Sequence, residues 1–272
     1  MESSAAPSVL FVTHGSPMVA LRPGVAGASL VAFAEPLAPA RAVLVISPHW
    51  ETEVATVGTA SQLDTIHDFG GFDPALEAIQ YPARGSPQGA QEVVAALEVA
   101  GLPVRTDGRR GLDHGAWVPL RFLFPQADVP IVPLSIQHQC GPQHAYRVGQ
   151  ALAPLAETGW LIVATGNITH NLRDWRQAAM GLTIDSSYAQ RFSDWTHGRL
   201  IHRDIPALLH YRQGQPDALR AQPRDEHLLP LFTALGAAGA EGGSTGDPPR
   251  PRSRSIPAAT TRASSMHCVH QP

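Results

Sequence analysis

The chain reads Val43-Leu44-Val45-Ile46-Ser47-Pro48-His49, an apolar run rich in β-branched residues that ends on a histidine. Short runs of this kind, closed by Gly, Pro or Asn, predict buried strands. The arrangement recurs twice: residues 9–13 lead to His14, and residues 161–165 lead through a short polar segment to His170. In an open α/β sheet, ligands bind beyond the carboxyl ends of the strands. Imidazoles arriving there from separate strands favour a shared metal ion, so a metal centre is the leading hypothesis.

Strand-like and helix-like segments alternate along the chain. We predict strands at 8–13, 43–47, 54–59, 130–136 and 160–165, and helices at about 27–38, 88–100, 142–157, 185–202 and 225–237. The Gly- and Pro-rich residues 61–87 predict a long ordered loop, which in a compact domain is usually functional. The alternation predicts an α/β fold: a single domain with a central, mostly parallel or mixed sheet covered by helices on both faces.

The composition excludes several classes of protein. With 272 residues, 43% of them hydrophobic and 16% charged, the chain can bury a sizeable core. A formal net charge of −3 is too small to predict a nucleic-acid or anionic-membrane partner. No apolar stretch approaches the roughly 20 residues that cross a bilayer, and the N-terminus lacks the pattern of a signal peptide. The two cysteines, Cys140 and Cys268, do not form a disulfide framework. We therefore predict a cytoplasmic protein.

The composition changes near Gly239. We predict a catalytic domain over residues 1–240 and an atypical, disordered tail over residues 241–272, which is rich in Pro, Ser and Arg and has no hydrophobic period. His267 and His270 lie in this tail and are discounted as ligands.

Five histidines stand out by their context: His14, His49, His114, His170 and His227. Any one of them alone is more simply explained as a hydrogen-bonded structural residue, but that explanation is weak for all five together. Three protein ligands leave one face of an ion open, which suits an Fe(II) oxygenase or a zinc hydrolase, with an uncoordinated histidine as general base. Ser16 lacks the context of a nucleophile, and the Arg109-Arg110 pair is predicted to be solvated rather than to bind an anion.

Eight ordered segments between residue 8 and about residue 237 carry a family resemblance. They are Thr13-His14-Gly15-Ser16-Pro17-Met18, Ser47-Pro48-His49-Trp50, Thr65-Ile66-His67-Asp68-Phe69-Gly70-Gly71-Phe72, Tyr81-Pro82-Ala83-Arg84-Gly85-Ser86-Pro87, Leu112-Asp113-His114-Gly115-Ala116-Trp117, Pro130-Ile131-Val132-Pro133-Leu134-Ser135-Ile136, Gly166-Asn167-Ile168-Thr169-His170-Asn171-Leu172 and Glu226-His227-Leu228-Leu229-Pro230. With them the chain resembles the class III extradiol ring-cleavage dioxygenases, in the branch similar to DOPA 4,5-dioxygenase, within the superfamily of the protocatechuate dioxygenase catalytic subunit.

The resemblance implies roles for particular residues. It implies metal ligation by His14, His49 and His227, with His170 either a further ligand or the catalytic acid/base. It implies that His114 is a catalytic residue that either contacts the metal ligands or faces the substrate. It also places His67 and Asp68 in the substrate pocket. Glu226 is a minor alternative for the third ligand, since other branches of the superfamily use a carboxylate there.

The resemblance further implies the reaction. A small-molecule catechol and O2 would meet at a mononuclear metal, with Fe(II) for catalysis; Zn(II) is the alternative ion at the same ligands and does not carry out the redox step. The partners are then limited to small molecules, with no nucleic acid and no membrane, and the protein is a monomer or small homo-oligomer. Two rival functions remain open: a non-catalytic metal-containing binding protein of the same fold, and a zinc-dependent hydrolase.

Overall fold

A six-stranded mixed sheet forms the centre of the molecule. The computed structural model describes residues 8–34, 37 and 39–239. Across the sheet the strands run in the order β1-β6-β2-β5-β3-β4. Their bounds are β1 Val9–Thr13, β2 Ala42–Glu51, β3 Ala55–Gly58, β4 Val104–Asp107, β5 Ile131–Ile136 and β6 Trp160–Gly166. The predicted α/β class with a mixed sheet is confirmed.

Ten α-helices connect and cover these strands in the described part of the chain. Their bounds are α1 Gly24–Ala34, α2 Pro87–Val99, α3 His114–Leu123, α4 Gly141–Glu157, α5 Leu172–Ala179, α6 Ser187–Ile201, α7 Ile205–Leu209, α8 Tyr211–Gly214, α9 Ala218–Ala221 and α10 Leu229–Ala237. Short 3₁₀ turns occur at Pro17–Ala20, Pro74–Leu76 and His138–Cys140.

The four strands β1, β6, β2 and β5 are parallel, so their carboxyl ends meet at one edge of the sheet. Strand β3 runs antiparallel to β5 and carries β4 parallel to itself at the far edge. The register of β2 against β5 shifts between Ile46 and Glu51, a segment that contains Pro48. Proline has no N–H to donate to the ladder, and such irregularities re-aim the neighbouring side chains. In this way the end of β2 departs from regular pairing where His49 stands.

Alternate residues of β1, β2 and β6 pack into two separate cores. In β1, for example, Val9 and Phe11 belong to one core and Leu10 and Val12 to the other. The first core is completed by α2, α4, α6 and α10, and the second by α1 and α3. Successive strand side chains point to opposite faces, so a sheet buried on both faces needs the continuous apolar runs seen here.

Helices α4 and α10 approach each other closely enough to require glycine. A Cβ on Gly149 would lie 2.0 Å from the carbonyl oxygen of Thr233, and one on Gly236 would lie 2.1 Å from the carbonyl oxygen of Tyr146. Helix α10 is buried along its whole length and packs also against β6 and β1. Because α10 begins two residues after His227, this packing fixes the start of the segment that presents His227.

Several predicted elements differ from the observed ones. Helix α1 begins earlier than predicted, and residues 35, 36 and 38 of the predicted helix lie outside the described residues. The prediction missed β4, α3, α5 and the short helices α7 to α9. The helix predicted at 225–237 begins only at Leu229, so His227 lies in the turn before it. The tail predicted at residues 241–272 lies outside the described residues. In the described part of the chain, no helix combines the length and apolarity needed to cross a membrane.

Candidate metal centre

Three neighbouring strands deliver histidines to the same edge of the sheet. His14 follows β1, His49 stands near the end of β2, and His170 lies four residues beyond Gly166, where β6 ends. The Nε2 atoms of His14 and His49 are 3.3 Å apart. Gly15, with φ +63°, turns the chain sharply after His14, a conformation that glycine adopts without strain.

His227 completes a triangle of imidazoles with His14 and His49. The ring centroids are 5.1 Å apart for His14 and His49, 5.3 Å for His14 and His227, and 5.0 Å for His49 and His227. His14 is 2% exposed and His227 is 5% exposed, so two of the three are removed from solvent. We refer to His14, His49 and His227 as the central histidines.

Two further imidazoles, His114 and His170, lie beside different central histidines. The His114 ring lies 4.0 Å from that of His49, and the ring nitrogens of His14, His49 and His114 fall within 4.8 Å of one another. The His170 ring stacks on that of His227, with centroids 3.4 Å apart and planes inclined by 19°. We refer to His114 and His170 as the flanking histidines.

Asp68 contacts two of these imidazoles. Its Oδ1 lies 3.0 Å from Nδ1 of His114 and accepts a hydrogen bond of 2.9 Å from the His114 backbone N–H. Its Oδ2 lies 3.4 Å from Nδ1 of His49. The side chain of Asp68 is 24% exposed although its backbone is open to solvent. The carboxylate predicted to line the substrate pocket therefore holds two histidines.

Glu226 has the corresponding position on the other side. Its Oε1 lies 2.9 Å from Nδ1 of His227 and 3.5 Å from Nδ1 of His170. Its Oε2 lies 3.4 Å from Nε of Arg224, and the residue is 8% exposed. The alternative in which Glu226 replaces His227 as a ligand is not favoured by these contacts, since the Glu226 oxygen nearest the cluster is engaged with two imidazoles.

Burial and mutual repulsion keep the central imidazoles neutral. Burial lowers the pKa of His14 well below its usual range, and His49 and His227 lower it further. Burial, followed by repulsion from His114, lowers the pKa of His49 to about 4. Burial lowers the pKa of His227 to about 3, although its hydrogen bond to Glu226 acts in the opposite direction. Neutral imidazoles have the lone pairs that a metal ion needs.

The two carboxylates stay ionised despite their burial. Burial alone raises the pKa of the Asp68 carboxyl, but the hydrogen bond and charge of His114 outweigh it and bring this pKa to about 2. Burial likewise raises the pKa of Glu226, and hydrogen bonds from His170 and His227 outweigh it and hold this pKa well below its usual range. Each side of the cluster therefore carries one negative charge.

The residues present fit a divalent metal ion. Nδ1 of His14 is buried and has no hydrogen-bond partner among the described residues, and its Nε2 faces only another imidazole. Neutral imidazoles that lie this close together direct the lone pairs of their ring nitrogens towards one another. A metal cation bound between them would accept these lone pairs. A second group of possible ligand atoms, from His170, Glu226 and His227, adjoins the first through His227.

Asp113 anchors the N-terminus of α3, on which His114 stands. It caps the helix by accepting from the Ala116 N–H, and it also accepts a 2.5 Å hydrogen bond from the Ser47 hydroxyl. Arg110 pairs with Asp113 at 2.5 Å and lies over the Trp50 ring at 4.9 Å, with 17% of its side chain exposed. The prediction that Arg110 is solvated was wrong, because Asp113 and Trp50 enclose it.

Two glycines let the backbone close around the histidines. A Cβ on Gly115 would lie 2.6 Å from Cδ2 of His49, and one on Gly166 would lie 2.2 Å from the carbonyl oxygen of His227. Any larger residue would displace a central histidine.

His67 lies one shell further out. Its Nε2 is 3.0 Å from the carbonyl oxygen of Ile79, and its ring packs edge-on against Phe69 and Trp117. Phe69 in turn contacts the His114 ring at 5.6 Å. The loop of residues 67–69 thus packs against α3, and its aromatic residues form one wall beside His114.

Sequence reasoning found the histidines and missed several residues that hold them, namely Ser47, Arg110 and Asp113. Asp113 carried a signal, because an Asp three residues before an apolar stretch is a usual helix N-cap.

Comparison with known proteins gives consistent results. A family model described as the catalytic LigB subunit of aromatic ring-opening dioxygenase matches residues 9–259, a range that extends into the predicted tail. The chain is 38% identical over 233 residues to the 4,5-DOPA dioxygenase extradiol of Beta vulgaris, covering 84% of this chain and 86% of that protein. It is 36% identical over 243 residues to the 4,5-DOPA dioxygenase extradiol of Escherichia coli K12, covering 87% of each. The crystal structure of an uncharacterized protein of Escherichia coli K12 matches with a TM-score of 0.66 at 30% identity, covering 84% of this chain and 87% of that chain.

Proposed function

The chain belongs to the family of aromatic ring-opening dioxygenases of the LigB type, and from this we propose that it cleaves a catechol ring in the extradiol position. Its substrates are then a small aromatic molecule and O2, and the enzyme is an oxidoreductase that incorporates both oxygen atoms. The observation that carries the proposal is the triangle of neutral imidazoles, two of them buried, at the carboxyl edge of the sheet.

The central histidines are the proposed metal ligands. His14, His49 and His227 come from three separate segments, and their rings are nearly equidistant. We propose Fe(II) as the catalytic ion, which when bound supplies the electron transfer between catecholate and O2 that Zn(II), with its filled d shell, does not. Zn(II) binding at the same ligands would give an inactive form.

His170 is the proposed acid/base rather than a fourth ligand. A metal ion lies about 2.1 Å from its imidazole nitrogen and near the plane of that ring. The His170 and His227 rings are 3.4 Å apart and nearly parallel, so one ion does not lie in both ring planes at this distance. With Nδ1 directed at Glu226, His170 is free to take a proton from a catechol hydroxyl at Nε2, and Glu226 stabilises the resulting imidazolium.

His114 is the proposed second catalytic histidine. Its Nδ1 is held by Asp68, and its ring lies beside that of His49, whereas the ring of His170 lies beside that of His227. With its proton on Nδ1, His114 has a lone pair on Nε2, which can accept a proton or a hydrogen bond from a hydroxyl group of the substrate. Phe69 and His67 beside it would line the pocket for the aromatic ring.

The charge of the site suits an anionic catechol. Three neutral imidazoles do not offset the two positive charges of the ion, and Asp68 and Glu226 face Nδ1 atoms rather than the centre of the triangle. A catechol that loses its hydroxyl protons provides that compensation. DOPA is the first candidate because relatives at 33–38% identity are named for it.

We further propose that residues 1–240 form the catalytic domain and that the enzyme works in the cytoplasm as a monomer or small homo-oligomer, without nucleic-acid or membrane partners. The small net charge of −3 supports the absence of such partners. Light scattering of the purified protein gives the oligomeric state.

The decisive experiment is anaerobic loading with Fe(II), followed by air and a panel of catechols that includes DOPA. We expect oxygen uptake in a one-to-one ratio with catechol and a yellow semialdehyde product, and neither from a zinc-loaded sample. An iron-loaded protein that takes up no oxygen with any catechol would contradict the proposal and favour a binding protein of the same fold. Hydrolysis by the zinc-loaded form would favour the hydrolase.

A further inference from the structure

Two carboxylates divide four of the five clustered histidines into pairs. Asp68 contacts Nδ1 of both His49 and His114, and Glu226 contacts Nδ1 of both His227 and His170. Each pair therefore contains one central histidine and one flanking histidine. The two carboxylates belong to different parts of the chain, a loop before α2 and the turn before α10, so the arrangement arises twice independently.

These contacts decide which ring nitrogen carries the proton. An ionised carboxylate only accepts hydrogen bonds, so an imidazole facing it with Nδ1 has its proton there. Its Nε2 then carries the lone pair. This tautomer lets a central histidine bind a metal through Nε2 and lets a flanking histidine accept a proton there.

His14 provides the contrast. No carboxylate contacts its ring, and its buried Nδ1 has no hydrogen-bond partner among the described residues. Its position comes instead from the backbone, where the turn at Gly15 follows it directly and the Thr13 hydroxyl bonds to Asn167 at 2.5 Å. Asp68 and Glu226 thus contact His49 and His227, the two central histidines that are paired with a flanking histidine.

We propose that Asp68 and Glu226 are positioning residues, each of which holds one metal ligand and one proton-transferring histidine in a common orientation. Neither carboxylate contacts the metal or the substrate. Binding of the metal to His49 and His227 therefore also fixes the direction in which His114 and His170 face the substrate. The proposal rests on the ligand assignment of the proposed function, but its tests below need no dioxygenase activity.

The two carboxylates differ in a way that yields distinct predictions. Asp68 uses both oxygens, Oδ1 for His114 and Oδ2 for His49, whereas Glu226 uses Oε1 for both imidazoles. In Asp68→Asn the backbone N–H of His114 keeps the amide oxygen on its own side, so the NH2 group faces Nδ1 of His49. That donor favours the tautomer of His49 with its proton on Nε2, which leaves no lone pair on Nε2 for the metal. In Glu226→Gln the amide oxygen can replace Oε1 at both imidazoles.

The first test measures affinity for Zn(II) and Co(II) by competition with a chelator. We expect Asp68→Asn and Glu226→Leu to weaken binding about 10- to 100-fold and to change the Co(II) absorption spectrum. Glu226→Gln should weaken it less than tenfold. Asp64→Asn and Glu98→Gln, two exposed carboxylates on the same protein, serve as matched controls and should bind like the wild type. Unchanged affinity in both Asp68→Asn and Glu226→Leu would overturn the proposal.

A direct ligand role for Glu226 predicts a different pattern. In that case Glu226→Gln would lose as much affinity as Glu226→Leu, and the Co(II) spectrum would change in both. This result would also overturn the positioning role of Glu226.

The second test avoids variants that fail to fold. The ¹⁵N resonances of histidine in the zinc-loaded wild-type protein report which ring nitrogen is protonated. We expect protons on Nδ1 of His49, His114, His170 and His227, with Zn(II) on Nε2 of His49 and His227. Metal on Nδ1 of either residue, or a proton on Nε2 of His114 or His170, would overturn the proposal. Neither test depends on the substrate, so the results of both can be interpreted even if the oxygen-uptake assay fails.

Discussion

Gly166 and His227 are in such close contact that a Cβ on Gly166 would lie 2.2 Å from the carbonyl oxygen of His227. The N–H of Asn167 donates a 2.9 Å hydrogen bond to that same carbonyl. The end of β6 therefore supports the turn that presents a proposed metal ligand, and space for that contact exists only because residue 166 has no side chain.

Gly166→Ala should displace His227 and weaken the metal centre. Overpacking against a backbone atom typically costs about 1–3 kcal/mol, and the turn before α10 has to absorb the shift. We expect lower affinity for Zn(II) together with a lower free energy of unfolding, measured by chelator competition and urea titration. If the variant binds Zn(II) as tightly as the wild type, the contact does not position His227.

The stacked pair of His170 and His227 predicts separable effects of two substitutions. His227→Ala should abolish tight metal binding, because it removes a ligand. His170→Ala should keep Fe(II) bound within a few-fold and lower kcat by about 10²- to 10⁴-fold, the usual contribution of a general acid/base. Metal analysis and an oxygen electrode measure the two properties, and the exposed His202→Gln is the matched control. Loss of metal in His170→Ala equal to that in His227→Ala would make His170 a ligand.

The metal-free protein should lose stability as the pH falls from about 6.5 towards 4. Burial, with repulsion among the imidazoles, lowers the pKa of His14 and brings those of His49 and His227 to about 4 and 3, so below the ordinary value of 6.5 the unfolded chain binds more protons than the folded one. The free energy of unfolding should therefore fall by on the order of 2 kcal/mol at pH 5 for each of His49 and His227, and His14 acts in the same direction.

Urea titrations in EDTA at pH 7, 6 and 5 check this dependence. The pKa of Asp68 is lowered to about 2, so the stabilisation that its ionised form provides is lost only at still lower pH, below the ordinary pKa of an aspartate. A free energy of unfolding that stays constant between pH 7 and 5 would show that these histidines are not held neutral by the fold.

The contact between α4 and α10 predicts opposite effects of the same substitution at two helical glycines. Gly149→Ala places a methyl group against the Thr233 carbonyl and should destabilise the protein by about 1–3 kcal/mol. Gly198→Ala lies within α6, with nothing among the described residues within 4 Å of its Cβ position, and should stabilise by about 0.5–1 kcal/mol. Urea titration of both variants is the measurement, and equal effects would contradict the close helix contact.

The sheet was predictable because its strands bury both faces. Continuous apolar runs such as residues 43–46 clearly predict buried strands. Because parallel strands end at the same edge of a sheet, the histidines that follow these runs lie at that edge. Helix α3 was missed because it is only ten residues long, and because Gly115 and Pro119, two residues that disfavour helices, lie within it. Strand β4 is a four-residue edge strand with the polar sequence VRTD, which lacks an apolar pattern altogether.

The pairing of carboxylates with histidines was not predictable in the same way. Asp68 and His49 come from different segments, and only the tertiary fold brings Oδ2 to within 3.4 Å of Nδ1. The family resemblance placed Asp68 in the substrate pocket and left His170 between two roles. The distances to each ring nitrogen support a narrower hypothesis for both.

Helix α10 follows the last central histidine and is buried against α4, β6 and β1. During synthesis the ribosome therefore completes β1, β6 and α4 before the segment that covers them exists. His227 emerges as residue 227 of 272, after His14 and His49 have long left the exit tunnel. Because domains fold as units, a nascent chain lacking this segment holds two of the three central histidines beside exposed apolar surface. Metal binding at full affinity therefore requires the segment that contains His227, and nascent chains that lack this segment should bind the metal more weakly.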